Sequence, residues 1–396
     1  MDKIYLLSDM NSFYASVECL YNPTLRTVPM AVCGDPAMRH GIILAKNDLA
    51  KKAGIVTGES IFNAKKKEPN LITVTADYPK YVEYAKKSRA LYNEYSDEVI
   101  PFGLDEAWIN LTGRVNSIEE GRKIADELRE RIKSELGLTA SIGVSFNYIY
   151  SKLASDMKKP DATTVLSRDD LQTVIWNLPA FELLFVGAAT RRKLKSRGIL
   201  TIGDIAQCDI KFMKNLLGKN GETLWRFSHG DDRDSDPKTP EDDPFKSMGN
   251  TVTMPYDLTN EIDILSMLYI LSRALSARLE KHGVKAACVS ILIKYSDFSA
   301  INRQLTVDIP INKEREIYKH AKKLFINNYN KQAVRSVGVS VSHLKSNKSE
   351  QLTLLDDNEE DDISEIYEIE TNLRGKLKEI AIDKSSFSFL DNLEGA

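Results

Sequence analysis

The chain has 396 residues, of which 42% are apolar, enough for about two to four domains with buried cores. It contains no apolar run that could span a membrane and no leader pattern at its start, so the sequence predicts a cytoplasmic protein. The four cysteines and five histidines lack disulfide-framework or zinc-site spacing, so we expect any catalytic metal to have oxygen ligands.

Charge is distributed unevenly, although the formal net charge is only −3. Residues 244–345 carry 15 Lys and Arg against 8 Asp and Glu, whereas residues 346–396 carry 5 against 14. A short polar stretch at 231–243 is also acidic, with 2 basic against 7 acidic residues. The basic block suits nucleic-acid binding or an ordinary solvated surface, and composition alone leaves both open.

The first elements in chain order are a predicted strand at residues 3–9 and a helix that Asn11 or Ser12 would cap. Two more predicted strands follow, PMAVCG and GIILAKN. Helical spacing of apolar residues then predicts helices at 78–95 and 118–136. A strand pair around GLDEAWINLTG separates these helices, and the strand TASIGVS follows the second one.

The order strand, helix, strand pair, helix, strand resembles a split βαβ unit, in which helices cover one face of an antiparallel sheet. Such a sheet permits Asp9, at the end of the first strand, to meet Asp105 and Glu106, at the start of a central strand. Three acids of this kind suit Mg²⁺ and nucleotidyl transfer. The alternative is an ordinary turn at residues 105 and 106 and a strand-end cap at Asp9.

Residues 167–230 are predicted to form short helices separated by turns. Within them, PAFELLFVGAATRRKLKSRGILTIGDIAQ has the form of a helix-hairpin-helix with Gly187 as its tight turn. The hairpin N–H groups, with Arg191, Arg192 and Lys193, suit binding of a DNA phosphate without base recognition. Only one of the two glycines of the consensus is present, so a plain αα-hairpin remains the alternative.

Beyond the acidic linker the pattern predicts a separate α/β module that carries the basic excess. Its strands include AACVSILIKY and RSVGVSVSHL, and its helices span 262–282 and 313–328.

Three motifs together resemble the Y-family DNA polymerases of the DinB/UmuC branch, over residues 3–345. They are DMNSFYASVE at 9–18, GLDEAWINLTG at 103–113 and GVSFNYIYSKLASDMKKP at 143–160. The resemblance implies an α+β multidomain fold, a right-hand polymerase. Its expected parts are a ferredoxin-like palm (1–20 and 76–166), small fingers (21–75), a helical helix-hairpin-helix thumb (167–230), an acidic linker (231–243), an α/β little finger (244–345) and an acidic tail (346–396).

The resemblance also implies the activity, that of a template-directed, error-prone translesion DNA polymerase in DNA damage tolerance. Primer–template DNA and dNTPs are the expected substrates, two Mg²⁺ ions the expected cofactors, and a monomer in the bacterial cytoplasm the expected state. Two alternatives stay open. One is a nucleotidyl cyclase on a similar palm, and the other is a catalytically silent, polymerase-like protein that binds DNA and a clamp.

Carried over residue by residue, the resemblance makes Asp9, Asp105 and Glu106 the catalytic, metal-binding carboxylates. The backbone carbonyl of Met10 would be a further metal ligand.

The resemblance assigns the nucleotide contacts to residues of the first and third motifs and of the fingers. The expected dNTP-binding residues are Phe13, Tyr14, Lys51 and Lys159. Tyr14 would be the steric gate, whose ring collides with a ribose 2′-hydroxyl. Lys51 stands where an arginine is usual, Asp48 where a tyrosine is usual and Tyr148 where a lysine is usual, so the detailed triphosphate contacts stay open.

The tail contains the peptide QLTLL at 351–355, which resembles the peptide by which bacterial polymerases bind the sliding clamp. Gln351 would set the register through its amide, and Leu352, Leu354 and Leu355 would enter a hydrophobic groove. The pattern at 361–382 predicts an amphipathic helix without a function.

Overall fold

The computed structural model describes residues 3–36, 39, 41–231 and 246–346, which form two compact units. The first unit contains residues up to 34 and from 42 to 231, and the second contains the rest. Nearly all of the predicted acidic linker and tail, including the clamp peptide and the helix at 361–382, lies outside the described residues. No helix within the described ranges is both long and apolar enough to cross a membrane.

A five-stranded sheet lies at the centre of the first unit. Its strands, in order across the sheet, are β5 (Val99–Pro101), β6 (Glu106–Asn110), β1 (Tyr5–Met10), β7 (Ala140–Ser145) and β8 (Thr163–Leu166). β1 pairs antiparallel with β6 and β7, whereas β7 and β8 are parallel. The order β5-β6-β1-β7 is that of the predicted split βαβ unit, and β8 is an additional edge strand.

Three helices pack with apolar side chains of one sheet face, among them Leu6, Ile109 and Val144. These helices are α1 (Phe13–Tyr21), α4 (Tyr78–Asn93) and α5 (Ile118–Leu136). Ser117 caps α5 by accepting a hydrogen bond from the backbone N–H of Glu120. The apolar stripe therefore predicted both ends of α5 correctly.

Helix α6 (Tyr148–Met157) packs across β1, β7 and β8. Asn147 caps α6 by accepting a hydrogen bond of 2.8 Å from the Tyr150 N–H. The helix lies so close to β7 that a Cβ on Gly143 would be 1.9 Å from the carbonyl oxygen of Ser151. A glycine in the middle of β7 is thus what permits this approach.

The remainder of the first unit consists of a small sheet and a group of short helices. The sheet has the order β3 (Ile43–Lys46), β2 (Met30–Cys33), β4 (Ile72–Thr75), and its helices are α2 (Asp48–Lys52) and α3 (Ile61–Lys67). The later α-helices are α7 (Asp170–Thr173), α8 (Ala188–Lys195), α9 (Ile202–Gln207), α10 (Ile210–Leu217) and α11 (Lys219–Ser228). Short 3₁₀ turns occupy Pro23–Arg26, Ile175–Asn177 and Ala180–Glu182. The prediction of short helices within 167–230 is confirmed.

The predicted turn at Gly187 is wrong in one respect. Gly187 is the N-cap of α8 with φ −73° and ψ 175°, a conformation open to any residue. The left-handed residue of this hairpin is Phe185, with φ +70°. It provides the chain reversal for which glycine is the usual choice.

The second unit is a four-stranded antiparallel sheet with two helices packed against it. Its strands, in order, are β11 (Ala300–Ile311), β10 (Val284–Tyr295), β12 (Val334–Ser346) and β9 (Ser247–Leu258), and its helices are α12 (Glu261–Lys281) and α13 (Glu314–Asn328). The predicted α/β module is therefore present. The predicted domain boundaries remain predictions.

Candidate active site

The two strand-end acids Asp9 and Glu106 lie directly opposite each other in the β1–β6 pairing. Side chains alternate along a strand, so Asp9 shares the sheet face of Leu7 and Glu106 that of Trp108, the face that packs with α6. Asp9 is only 5% exposed. The register therefore places two carboxylates together in a poorly solvated corner of the sheet.

Two lysines provide the positive charge that this pair requires. Lys152 Nζ, from α6, lies 3.1 Å from Asp9 Oδ2 and 2.9 Å from Glu106 Oε1. Lys159 Nζ lies 2.7 Å from the same Asp9 oxygen. Asp156 pairs with both lysines, at 2.9 and 2.8 Å. Lys159 was predicted as a nucleotide contact, whereas the role of Lys152 was missed.

Asp105 lies immediately before β6, where its backbone carbonyl accepts a 3.0 Å hydrogen bond from the N–H of Met10. Burial and the neighbouring charge of Asp9 raise the pKa of Asp105. The structure thus brings the three predicted carboxylates into one neighbourhood. Within the described ranges, however, no three Asp, Glu, His or Cys side chains form a preformed metal cluster.

The shared environment shifts the pKa values of Asp9 and Glu106 in opposite directions. Burial and a hydrogen bond with Asp9 raise the pKa of Glu106 to about 8. Burial opposes ionisation of Asp9 as well, but the hydrogen bond from Glu106 and the charges of Lys152 and Lys159 lower the Asp9 pKa overall. Asp9 is therefore the more readily ionised member of the pair.

This asymmetry predicts a pH-dependent stability. Folded Glu106 holds its proton more tightly than the unfolded chain, where the usual value is 4.5, so its ionisation destabilises the fold. We expect the free energy of unfolding to fall between pH of about 4.5 and about 8 more steeply in the metal-free wild type than in Glu106→Gln. Urea unfolding across this range measures the difference, and identical slopes would contradict the expectation.

A group of aromatic rings surrounds Tyr14, the predicted steric gate. The Tyr14 ring stacks on that of Tyr81, with centroids 4.3 Å apart and planes at 12°, and meets Tyr78 edge-on. Burial, together with Tyr78 and Asp105, raises the pKa of Tyr14 to about 12, so the phenol stays neutral. Phe13 is 3% exposed and lies in the core, where its ring supports Tyr14 from 5.6 Å.

The remaining nucleotide-site predictions fall on α2 and α6. Lys51 is exposed on α2. Burial, and to a lesser extent the charge of Lys51, lower the pKa of Lys46, a nearby lysine that sequence reasoning missed. Asp48 is exposed in the first turn of α2, where an acid stabilises the helix dipole. Tyr148 is 2% exposed and packs edge-on against Trp108. The tyrosine that stands here in place of the usual lysine is therefore a core residue.

Asn11 is a further site residue that the sequence did not identify beyond a possible cap. Its side chain accepts a 2.9 Å hydrogen bond from the Asp161 N–H and donates one of 2.9 Å to Ser141 Oγ. These bonds tie the segment after Lys159 to the end of β1. The cap of α1 is instead Ser12, which makes no side-chain capping bond.

Comparison with known proteins identifies the family. Residues 8–156 match the model of the impB/mucB/samB family, and residues 245–354 match that of its C-terminal domain. The chain is 44% identical over 359 residues to DNA polymerase IV of Acetivibrio thermocellus, covering 90% of each protein. The chain belongs to the Y family of DNA polymerases. It is also 36% identical over 355 residues to DNA polymerase IV 1 of Bacillus subtilis, covering 89% of this polymerase and 85% of that one.

A solved Y-family DNA polymerase chimera, Dbh-Dpo4(243-245)-Dbh, has the same fold. It aligns with 87% of this polymerase and 100% of its own chain, at a TM-score of 0.77 and 22% identity. The predicted α+β multidomain fold class is therefore confirmed. Family membership confirms the predicted class of enzyme, a metal-dependent, DNA-directed DNA polymerase of the translesion type, and sets aside the cyclase and silent-protein alternatives.

Proposed function

We propose that the polymerase extends a DNA primer with dNTPs on intact and damaged templates, with Asp9, Asp105 and Glu106 holding two Mg²⁺ ions. The Met10 carbonyl is the proposed fourth ligand. The observation that carries this proposal is the register of β1 and β6, which sets Asp9 against Glu106, with Asp105 adjoining both.

The donor set suits Mg²⁺. Its side-chain ligands are carboxylates, and their number is small, as Mg²⁺ prefers when substrate phosphates and waters complete its shell. Asp9 and Glu106 already hold ammonium groups in the structure, so this corner of the sheet stabilises cations. When bound, Mg²⁺ activates the primer hydroxyl and neutralises charge on the transferred phosphate.

The chain's own residues then have distinct tasks. Lys159 and Lys51 bind the triphosphate of the dNTP, and both supply charge without the bidentate fork of arginine. Lys152 offsets the repulsion between Asp9 and Glu106. Phe13 acts through its support of Tyr14.

DNA binding is assigned to two basic surfaces. Arg191, Arg192 and Lys193 are exposed on α8, beyond the N-cap Gly187, and contact phosphates of the primer–template duplex. The basic excess of residues 244–345 contributes further phosphate contacts.

The peptide at Gln351–Leu355, outside the described residues, binds the sliding clamp through Gln351, Leu352, Leu354 and Leu355. The polymerase acts as a monomer in the bacterial cytoplasm, where its template lies.

Tyr14 is the proposed steric gate, and its removal tests that role. Tyr14→Ala is expected to raise the use of rNTPs relative to dNTPs by about 10- to 100-fold, because a 2′-hydroxyl no longer meets a ring. Tyr14→Phe keeps the ring and should retain the selectivity of the wild type. Single-nucleotide incorporation kinetics measure both, and unchanged selectivity in Tyr14→Ala would remove the assignment.

The whole proposal is tested by primer extension with Mg²⁺ on undamaged, abasic, alkylated and bulky-adduct templates. We expect extension of the undamaged primer and continued synthesis past at least one lesion. Added clamp should increase the product length for wild type but not for Leu354→Ala/Leu355→Ala, since the apolar anchors are lost. Failure to extend any primed template would sink the proposed function, whereas equal stimulation of both proteins would remove only the clamp assignment.

A further inference from the structure

Phe185, in the hairpin before α8, has a backbone conformation that its side chain disfavours. Its φ is +70°, in the left-handed region where glycine is the common residue and aromatic residues are rare. The helix-hairpin-helix consensus has glycine on both sides of its central residue. Here Gly187 follows Val186, and Phe185 stands where the other glycine belongs.

Folding offers little reason for an aromatic ring at this position. The Phe185 side chain is 54% exposed, and its nearest ring is Phe227, with centroids 6.0 Å apart. Burying less than half of a phenylalanine gains a free energy no larger than the cost of left-handed backbone. Its neighbours Leu183 and Val186 already supply the core contacts of this turn. Glycine would therefore serve the fold equally well.

The helix that follows Phe185 is basic, although one exposed acid, Glu182, precedes the turn. Helix α8 begins three residues after Phe185, and its exposed basic residues are Arg191, Arg192, Lys193 and Lys195. The Arg191 guanidinium lies 3.9 Å above the ring of Phe181, a second aromatic residue that is 42% exposed. An occupant of this surface must combine dense negative charge with an apolar face. Duplex DNA has both, in its phosphates and its deoxyribose rings.

We propose that Phe185 packs its ring against a deoxyribose of the primer–template duplex, beside the phosphate that α8 binds. An apolar contact thus takes the place of the closer backbone approach that glycine would allow. The inference rests on the proposed DNA-binding role of α8 and adds a contact of a different kind. It involves no base edge, so it contributes affinity without sequence preference.

Phe185→Gly tests the contact, because it removes the ring and relieves the backbone at once. We expect its Kd for primer–template to rise about fivefold, the value for losing burial of half a ring, while its melting temperature stays level or rises. The slope of log Kd against log salt concentration should match wild type, since a ring releases no counterion. Arg192→Ala, in contrast, should reduce the magnitude of that slope by about 0.9.

Two further variants make the fluorescence-anisotropy titrations decisive. Phe185→Tyr keeps the ring and should bind like wild type. Phe185→Asn tolerates the left-handed backbone without a ring and should bind like Phe185→Gly, which covers the case of a poorly folded glycine variant. Wild-type affinity of both ringless variants for primer–template would overturn the inference. The exposed ring would then be a candidate contact for a protein partner and not for DNA. Absence of binding by wild type would instead count against the proposed function itself.

Discussion

Replacement of Asp105 and Glu106 together by alanine is expected to lower the rate of primer extension by about a thousandfold or more. Both side chains lie next to Asp9 in a poorly solvated corner, and the proposed Mg²⁺ site loses two of its three carboxylates. Single-turnover extension measures the loss. Primer–template binding should be unchanged, because the proposed phosphate contacts lie on α8 and the second unit.

Asp156 provides the matched control for this experiment. Its carboxylate pairs with Lys152 and Lys159, the same two lysines that contact Asp9, but it lies on α6 and not at a strand end. Asp156→Asn therefore removes a neighbouring negative charge without removing a proposed metal ligand. We expect extension close to the wild-type rate. Equal loss in both variants would mean that the activity depends on net charge around the lysines and not on the strand-end carboxylates.

Substitution of Gly143 by alanine is expected to destabilise the first unit by about 3 kcal/mol or more. The added Cβ would lie 1.9 Å from the carbonyl oxygen of Ser151 and 2.4 Å from the N of Ser155. Both are backbone atoms of α6, so no side-chain rotation relieves the overlap and the helix must shift. Chemical denaturation measures the loss of stability.

A shift of α6 also moves Lys152 relative to Asp9 and Glu106, so any folded Gly143→Ala protein should lose activity. Gly187→Ala is the control, because Gly187 has an ordinary φ and no atom within 4 Å of an added Cβ. Its stability should equal that of wild type. A Gly143→Ala protein as stable as wild type would show that α6 can approach the sheet in another way.

Sequence reasoning succeeded where a periodic pattern coincided with a strong local signal. The apolar stripe of α5 predicted that helix from end to end, and in the structure Ser117 caps its start. The element order permitted the strand ends at Asp9 and Glu106 to meet in one sheet, and the observed register shows that they do.

The pattern failed where burial was uniform or where contacts were nonlocal. Residues of α6 are buried on most sides, and this helix was not predicted from the sequence. Lys152 was not identified from the sequence, because the groups it contacts lie far away along the chain. Only the close approach at Gly143 directs that lysine toward carboxylates 46 and 143 residues away. Phe185 was overlooked because local propensity assigns left-handed turns to glycine.

The tyrosine stack behind Tyr14 has a consequence for how this enzyme can evolve. Tyr81 donates a 2.8 Å hydrogen bond to Glu18, and Glu18 lies one helical turn after Tyr14 on α1. Helix α1 therefore carries the ring of the proposed steric gate, and it also holds in place the Tyr81 ring on which that ring stacks. Tyr81 is fully buried. A substitution of Tyr81 that relaxed the proposed sugar selectivity would therefore also disrupt the hydrophobic core. Tyr14 is only partly buried, so variants with relaxed sugar selectivity should arise there at a smaller cost in stability than at Tyr81.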